Sequence, residues 1–277
     1  MIKRFFILIF SCIPVLLFSQ NWNKVGNGFI SNYPGNAYSG DVYELKKIGD
    51  TLFVGGGFLL YPVDSINPVY YWMKTSRPIA KWNGNQWDTI PRIGPDSSGP
   101  SGGITAIEYY NNELYLGGNH FDYAGLPPKE RVKYLTRWDG TYWQQVGGGN
   151  PNGRVESMIY KGELYVGGEF GQVGGSVSAN VIAKWNGTNW SNLGSGLIGD
   201  FSTAAAMAVY NDDLYVGGRF TNAGGKPTFN IARWDGAQWS DLDTGVASDV
   251  TALAVDTINN LLYVGGGIYS AGGNSGI

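Results

Sequence analysis

Few side chains in this chain could do chemistry. Among 277 residues His120 is the only histidine and Cys12 the only cysteine. Metal sites of the multi-histidine or Cys/His kind take three or four such ligands, so none is expected. Aspartate and glutamate total 22, which leaves a carboxylate pair working as acid and base on a glycosidic bond as one reading. No such pair stands apart from the pattern around it. The spacings Ser-x-Asp-x-Gly-x-x-Trp, His-Glu-x-x-His and the phosphate-cradling Gly-x-x-x-x-Gly-Lys-Ser/Thr do not occur. No catalytic residue, metal ligand or cofactor is therefore assigned. What remains is aromatic. Tyr70, Tyr71 and Trp72 in one loop, and His120, Phe121 and Tyr123 in another, could stack on sugar rings or anchor a protein partner. The plain alternatives are loops packing their own aromatics and a satisfied loop histidine.

The elements that would position these residues come from a repeat with a period of about 50 residues. A run ending in diglycine recurs at Leu52–Gly56, Leu114–Gly118, Leu164–Gly168, Leu214–Gly218 and Leu262–Gly266. The glycine pairs are Gly55-Gly56, Gly117-Gly118, Gly167-Gly168, Gly217-Gly218 and Gly265-Gly266. They follow an apolar strand pattern and precede no helical one, so they are not phosphate loops. The first four runs are each followed by a tryptophan pair: Trp82/Trp87, Trp138/Trp143, Trp185/Trp190 and Trp234/Trp239. Eight of the 10 tryptophans fall in this pattern. Glycine, at 43 residues, is about twice its usual ~7% share, and its fixed places beside aromatics argue against a flexible low-complexity segment.

Each repeat reads as four strands, a to d. Strand a is an apolar stretch such as Ile104 to Tyr109 or Val250 to Val255. A tight polar turn leads to strand b with its diglycine, and strand c runs into the first tryptophan. Asn83-Gly84, Asp139-Gly140, Asn186-Gly187 and Asp235-Gly236 predict two-residue hairpin turns with positive φ at both positions. That register would pair Trp82 with Asn85 and Ala80 with Trp87, and strand alternation would put both tryptophans on one face. Each buried aromatic removes roughly 150–250 Å² from water, about 4–6 kcal/mol gross. The mature chain has no cysteine, so packing of this kind must stabilise it. Asp and Asn interchange at the turn, which suits turn stereochemistry and not a required charge. The basic residue before each first tryptophan (Lys81, Arg137, Lys184, Arg233) points to the opposite face. Its head is either solvated or stacked on a neighbouring repeat's tryptophan. Asn186-Gly-Thr188 and Asn189-Trp-Ser191 match the glycosylation sequon, inside hairpins.

The ends carry further expectations. Residues 1–19 read as a secretory signal, with Lys3 and Arg4 before the apolar run Phe5 to Phe18, a run short for a membrane span. A lipoprotein box at Ile9–Cys12 is the rival reading, weakened because the apolar run continues past Cys12. The mature domain is 20–277, with no membrane span after signal removal. Its repeats lie at about 40–95, 104–150, 155–199, 204–247 and an incomplete 250–277. Residues 21–28 resemble 189–196 and read as a strand d that closes the last sheet. The expected fold is all-β, a β-propeller of four-stranded antiparallel blades forming an incomplete or fragmentary ring of about five. A net charge of −3 without a basic block sets nucleic acid aside as a partner.

Diglycine after strand b and tryptophans around the c–d turn resemble the kelch repeat and the related galactose-oxidase-type propeller. Gly217–Gly225 followed by Ile231–Trp239 is similar to repeats in secreted bacterial surface proteins, of the kind exported by type IX secretion, and in fungal cortical-marker proteins. The resemblance covers nearly all of 20–277 and implies a secreted or cell-surface address. Galactose oxidase chemistry would need a cysteine–tyrosine cross-link and histidine copper ligands, which the mature chain lacks. Topology puts the a–b and c–d turns on one rim and the b–c and d–a connections on the other. The second rim carries the insertions 59–78, 91–103 and 120–135, so a protein or glycan partner is expected there. The resulting reading is an exported, non-enzymatic interaction module. A glycan-binding accessory module of a longer secreted protein and a carboxylate-dependent carbohydrate-active enzyme are the alternatives.

Overall fold

The computed structural model describes residues 32–33, 36–37, 41–57, 79–88, 90, 103–119, 123–124 and 131–275. The signal reading of 1–19, the closing strand at 21–28 and the aromatics Tyr70, Tyr71, Trp72, His120 and Phe121 lie outside the described residues. The chain divides into two compact units, one ending at Val146 and the other running from Gly147. Every regular element among the described residues is a β-strand.

In the first unit two four-stranded antiparallel sheets follow the a-b-c-d order. One is built from Asp41–Ile48, Thr51–Gly57, Ile79–Trp82 and Trp87–Asp88, the other from Ile104–Tyr110, Glu113–Gly118, Leu135–Trp138 and Trp143–Gln144. The second unit repeats the plan with Arg154–Lys161, Glu163–Glu169, Ile182–Trp185 and Trp190–Asn192. It repeats it again with Thr203–Tyr210, Asp213–Arg219, Ile231–Trp234 and Trp239–Ser240, then adds the pair Val250–Asp256 and Leu261–Gly266. Each four-stranded sheet contains one diglycine run and one tryptophan pair.

Within each unit successive sheets stack face to face, and strands b at Glu113–Gly118, Glu163–Glu169 and Asp213–Arg219 are buried on both sides. That is why Leu-Tyr-Val-Gly-Gly reads as a continuous apolar run and not an alternating one. The two glycines have separate reasons. A Cβ on the first would strike strand a of the next sheet: Ile104 Cγ2 at 2.7 Å from Gly55, Met207 Cε at 2.4 Å from Gly167, Val250 Cγ1 at 2.3 Å from Gly217. A Cβ on the second would strike the sheet's own strand a, at 2.0 Å from the Arg154 carbonyl oxygen for Gly168 and 1.9 Å from that of Thr203 for Gly218. Opposite each second glycine strand a carries a β-bulge, between Val155 and Ser157 and between Ala204 and Ala206.

The c–d turn corrects the sequence expectation. Trp82 pairs directly with Trp87, and Trp138, Trp185 and Trp234 pair in the same way with Trp143, Trp190 and Trp239. The loop thus has four residues, and within it the glycine alone, such as Gly84 at φ 96, is left-handed. Asn83 Oδ1 accepts from the N–H groups of Asn85 and Gln86, and Asp139, Asn186 and Asp235 do the same in their own loops. With the Asn83 N–H donating to the Gln86 carbonyl at 3.3 Å, these bonds close the four-residue loop. Those amide donors hold the Asp139 and Asp235 carboxyls below the usual range. Moving the register by two residues preserves face parity, so both tryptophans still share a face, with ring centroids 5.1 to 5.3 Å apart. Ala80 and its counterparts do not oppose the second tryptophan.

That second tryptophan also ties its repeat to the one before. Trp239 Nε1 donates to the Leu193 carbonyl at 2.8 Å, and Trp190 Nε1 to that of Gly147 at 3.2 Å. The basic residue before the first tryptophan finds a carboxylate. Arg137 binds Glu113 through its guanidinium, Lys184 meets Glu163 at 2.6 Å, and Arg233 meets Asp213 at 3.5 Å, each acid opening strand b. The first repeat has Thr51 there, and Lys81 pairs instead with Asp88 at 3.1 Å. The heads thus stay partly exposed, as a snorkelling stem implies, and each also meets a carboxylate.

Two outcomes follow for stability. Gly217→Ala should lose about 1–3 kcal/mol in urea unfolding through overpacking, whereas Gly265→Ala, whose Cβ would meet Ala252 Cβ at an ordinary 3.6 Å, should stay within about 0.5 kcal/mol. Trp239→Phe leaves the Leu193 carbonyl without its donor and should cost about 2–4 kcal/mol. Trp185→Phe should cost less by about the worth of that bond, ~1–2 kcal/mol, because the Trp185 N–H is buried without a partner.

Candidate functional site

The b–c and d–a connections come together in the second unit around a cleft of about 520 Å³. Its walls are Glu169, Phe170 and Gly171 leaving strand b, Asn180 and Val181 entering strand c, and the linkers containing Asn152 and Leu197 to Ser202. This is the end of the sheets where the sequence places its binding rim. The insertions expected there, 59–78, 91–103 and 120–135, lie mostly outside the described residues. Tyr123 lies in a two-residue strand, Tyr123–Ala124, paired with Arg131–Val132.

Internal repetition shows what is special in the cleft. Ala204, Val155 and Val250 occupy one register position, each opposite the second glycine of its diglycine. The linker from Leu193 to Ala204 is longer than those from Val146 to Val155 and from Leu242 to Val250. The extra length carries Phe201, which has φ 56 and is 88% exposed. A bulky side chain in the left-handed region costs free energy, and no burial offsets it here. Across the cleft Val181 has φ 67. It accepts a hydrogen bond from Gly168 N at 3.0 Å, and Asn230, which tolerates that conformation, accepts the equivalent bond from Gly218. Tyr134, at φ 65, accepts the same bond from Gly118 N at 3.0 Å, so the left-handed backbone at Val181 belongs to the repeat. Phe201 is the strained side chain particular to this cleft, and strain of that kind collects at functional sites.

The polar groups are held firmly. Asn152 Oδ1 accepts from Gly171 N at 2.9 Å and Gln172 N at 3.0 Å, and Asn180 Nδ2 donates to the Ser195 carbonyl at 2.8 Å. Glu169 is joined to Arg154 at 3.4 Å, and Arg154 also contacts Glu156. Self-comparison of the linkers could have found Phe201, since it stands in a stretch that the linkers after Val146 and Leu242 lack. Its surroundings, Gly199-Asp200-Phe201-Ser202, read as ordinary loop.

A second group lies in the first unit, on strands a of its two sheets. Lys46 Nζ meets the buried Glu108 at 2.6 Å, and Glu44 stands beside both. Burial, opposed by Lys46 and reinforced by Glu108, pushes the Glu44 carboxyl from 4.5 up to about 7. Among the described residues no group of three or more His, Cys, Asp or Glu could hold a metal ion, and no helix is long and apolar enough to cross a membrane. No protein-family model matches the chain, and no curated protein matches it either.

Phe201→Asn, which suits positive φ, should raise stability by about 0.5–1 kcal/mol in urea unfolding. Glu44 binds its proton more tightly in the folded protein than in the unfolded chain. Its contribution is therefore complete below pH 4.5 and is lost as pH rises toward about 7. Melting between these limits should show a fall on the order of 2–3 kcal/mol after discounting for partial exposure. Glu44→Gln should flatten it.

Proposed function

We propose that this chain is an exported, non-enzymatic β-propeller of about five blades that acts as a surface or extracellular interaction module, with its ligand docking at the rim of b–c and d–a connections. The observation that carries the reading is the cleft with Phe201, where a solvent-exposed aromatic is kept in a costly conformation that stacking of the sheets does not require. The repeat supports the propeller. Val42 and Leu45, 42% and 61% exposed, hold the strand a positions through which Ile104 and Ile107 pack on Gly55. They thus offer a stacking face for another sheet of the same kind. The basic n-region and apolar run of residues 1–19 support export. Glu44 has the perturbed carboxyl that acid–base chemistry uses, but it packs beside Lys46 and Glu108 and lines no part of the cleft.

Surface labelling of intact source cells, with amino-terminal sequencing of the labelled protein, tests the reading. The chain should be labelled and begin near Gln20, and Phe201→Asp should lower its retention on washed cells at least fivefold. A cytoplasmic chain still carrying residues 1–19, or retention indifferent to Phe201, would overturn it.

A further inference from the structure

The cleft also indicates the chemistry of what it binds. Its polar atoms offer both donors and acceptors. Asn152 commits its oxygen to two backbone amides and so keeps its Nδ2 for donation. Asn180 commits its nitrogen and keeps its Oδ1 for acceptance. The Ser202 hydroxyl can do either, and the Glu169 carboxylate accepts. A ligand bearing hydroxyl groups, each donor and acceptor at once, matches this set. A ligand rich in one kind of group would leave half of it unpaired.

Charge narrows the class further. Glu169 in the wall, Asp200 in the long linker and Glu156 behind Arg154 outnumber the single arginine. An anionic ligand would meet repulsion, and Arg154 is already shared between two carboxylates. The apolar share comes from Phe201 and from Ile198, 45% exposed. A flat exposed aromatic face lining the same cleft as the amides of Asn152 and Asn180 suits a ring that has C–H bonds on one face and hydroxyls at its edge.

We infer that the Phe201 cleft is a binding site for a neutral saccharide, one sugar ring stacking on Phe201 while its hydroxyls bond to Asn152, Asn180, Glu169 and Ser202. The inference rests on the rim-docking reading above. The site performs no bond cleavage; it holds the sugar.

Affinity electrophoresis of the full chain through gels containing a neutral β-glucan, a neutral mannan or a neutral galactan, with anionic alginate as the comparison, tests it. At least one neutral polymer should retard the protein and alginate should not. Phe201→Ala should weaken that retardation at least tenfold, and Phe201→Tyr should preserve it. Asn152→Asp keeps the oxygen that the backbone uses and removes the nitrogen, and should weaken it severalfold with little change in melting temperature. Retardation by none of the neutral polymers, equal retardation by alginate, or indifference to Phe201→Ala would each overturn the saccharide assignment. If retention on cells still depends on Phe201 while no neutral polymer binds, the sugar falls and rim docking stands. If neither depends on Phe201, both fall.

Discussion

Everything in this fold depends on how closely two sheets can approach at a position without a side chain. At Gly55, Gly167 and Gly217 the next sheet's strand a fills the space that a Cβ would occupy. The glycine after it plays a different part, admitting the bulged backbone of its own sheet. Two adjacent glycines are thus answers to two steric demands, one between sheets and one within a sheet. With strand b buried on both faces, its side chains find apolar neighbours whichever way they point, and a chain without cystines gains a core from repetition alone.

Closure of each sheet is then local. The Asx loop after strand c fixes the register in which two tryptophans meet, and the second indole reaches back to a carbonyl of the preceding repeat. The acid opening strand b meets the base on strand c, and the first repeat, lacking that acid, uses Asp88 on strand d. Such compensation shows that the base needs a counter-charge at this point in the sheet and tolerates more than one source for it. Against this regularity the linker around Phe201 stands out within the second unit, because an exposed aromatic is held there in a left-handed backbone.

The strand order within repeats, the shared face of each tryptophan pair and the structural nature of the turn acids were legible in the sequence. Period-two alternation survives a register error of two residues, so face assignments held although the hairpin loop was read too short. The loop itself was not legible. Asn-Gly and Asp-Gly suit both a two-residue turn and an Asx-closed four-residue loop, and only the register separates them. The partner of the first glycine was equally hidden, since nothing in Leu-Tyr-Val-Gly-Gly names the residue that will press against it. Glu113, Glu163 and Asp213 were visible in phase with Arg137, Lys184 and Arg233, but contact between strands b and c had to be known before the phase meant an ion pair. Phe201 was overlooked because one aromatic among loop residues carries no pattern of its own.

The socket formed by each first glycine accepts different side chains at different interfaces: isoleucines at Gly55, alanine with methionine at Gly167, valine with leucine at Gly217. The fit is set by backbone spacing more than by the shape of any one occupant. Repeats are therefore close to interchangeable parts, and a gene duplicating or losing one whole unit would present matching surfaces at the new junction. Growth of the array by copying needs no fresh invention of an interface, and specialisation can then fall on the connecting segments, which the stacking leaves unconstrained.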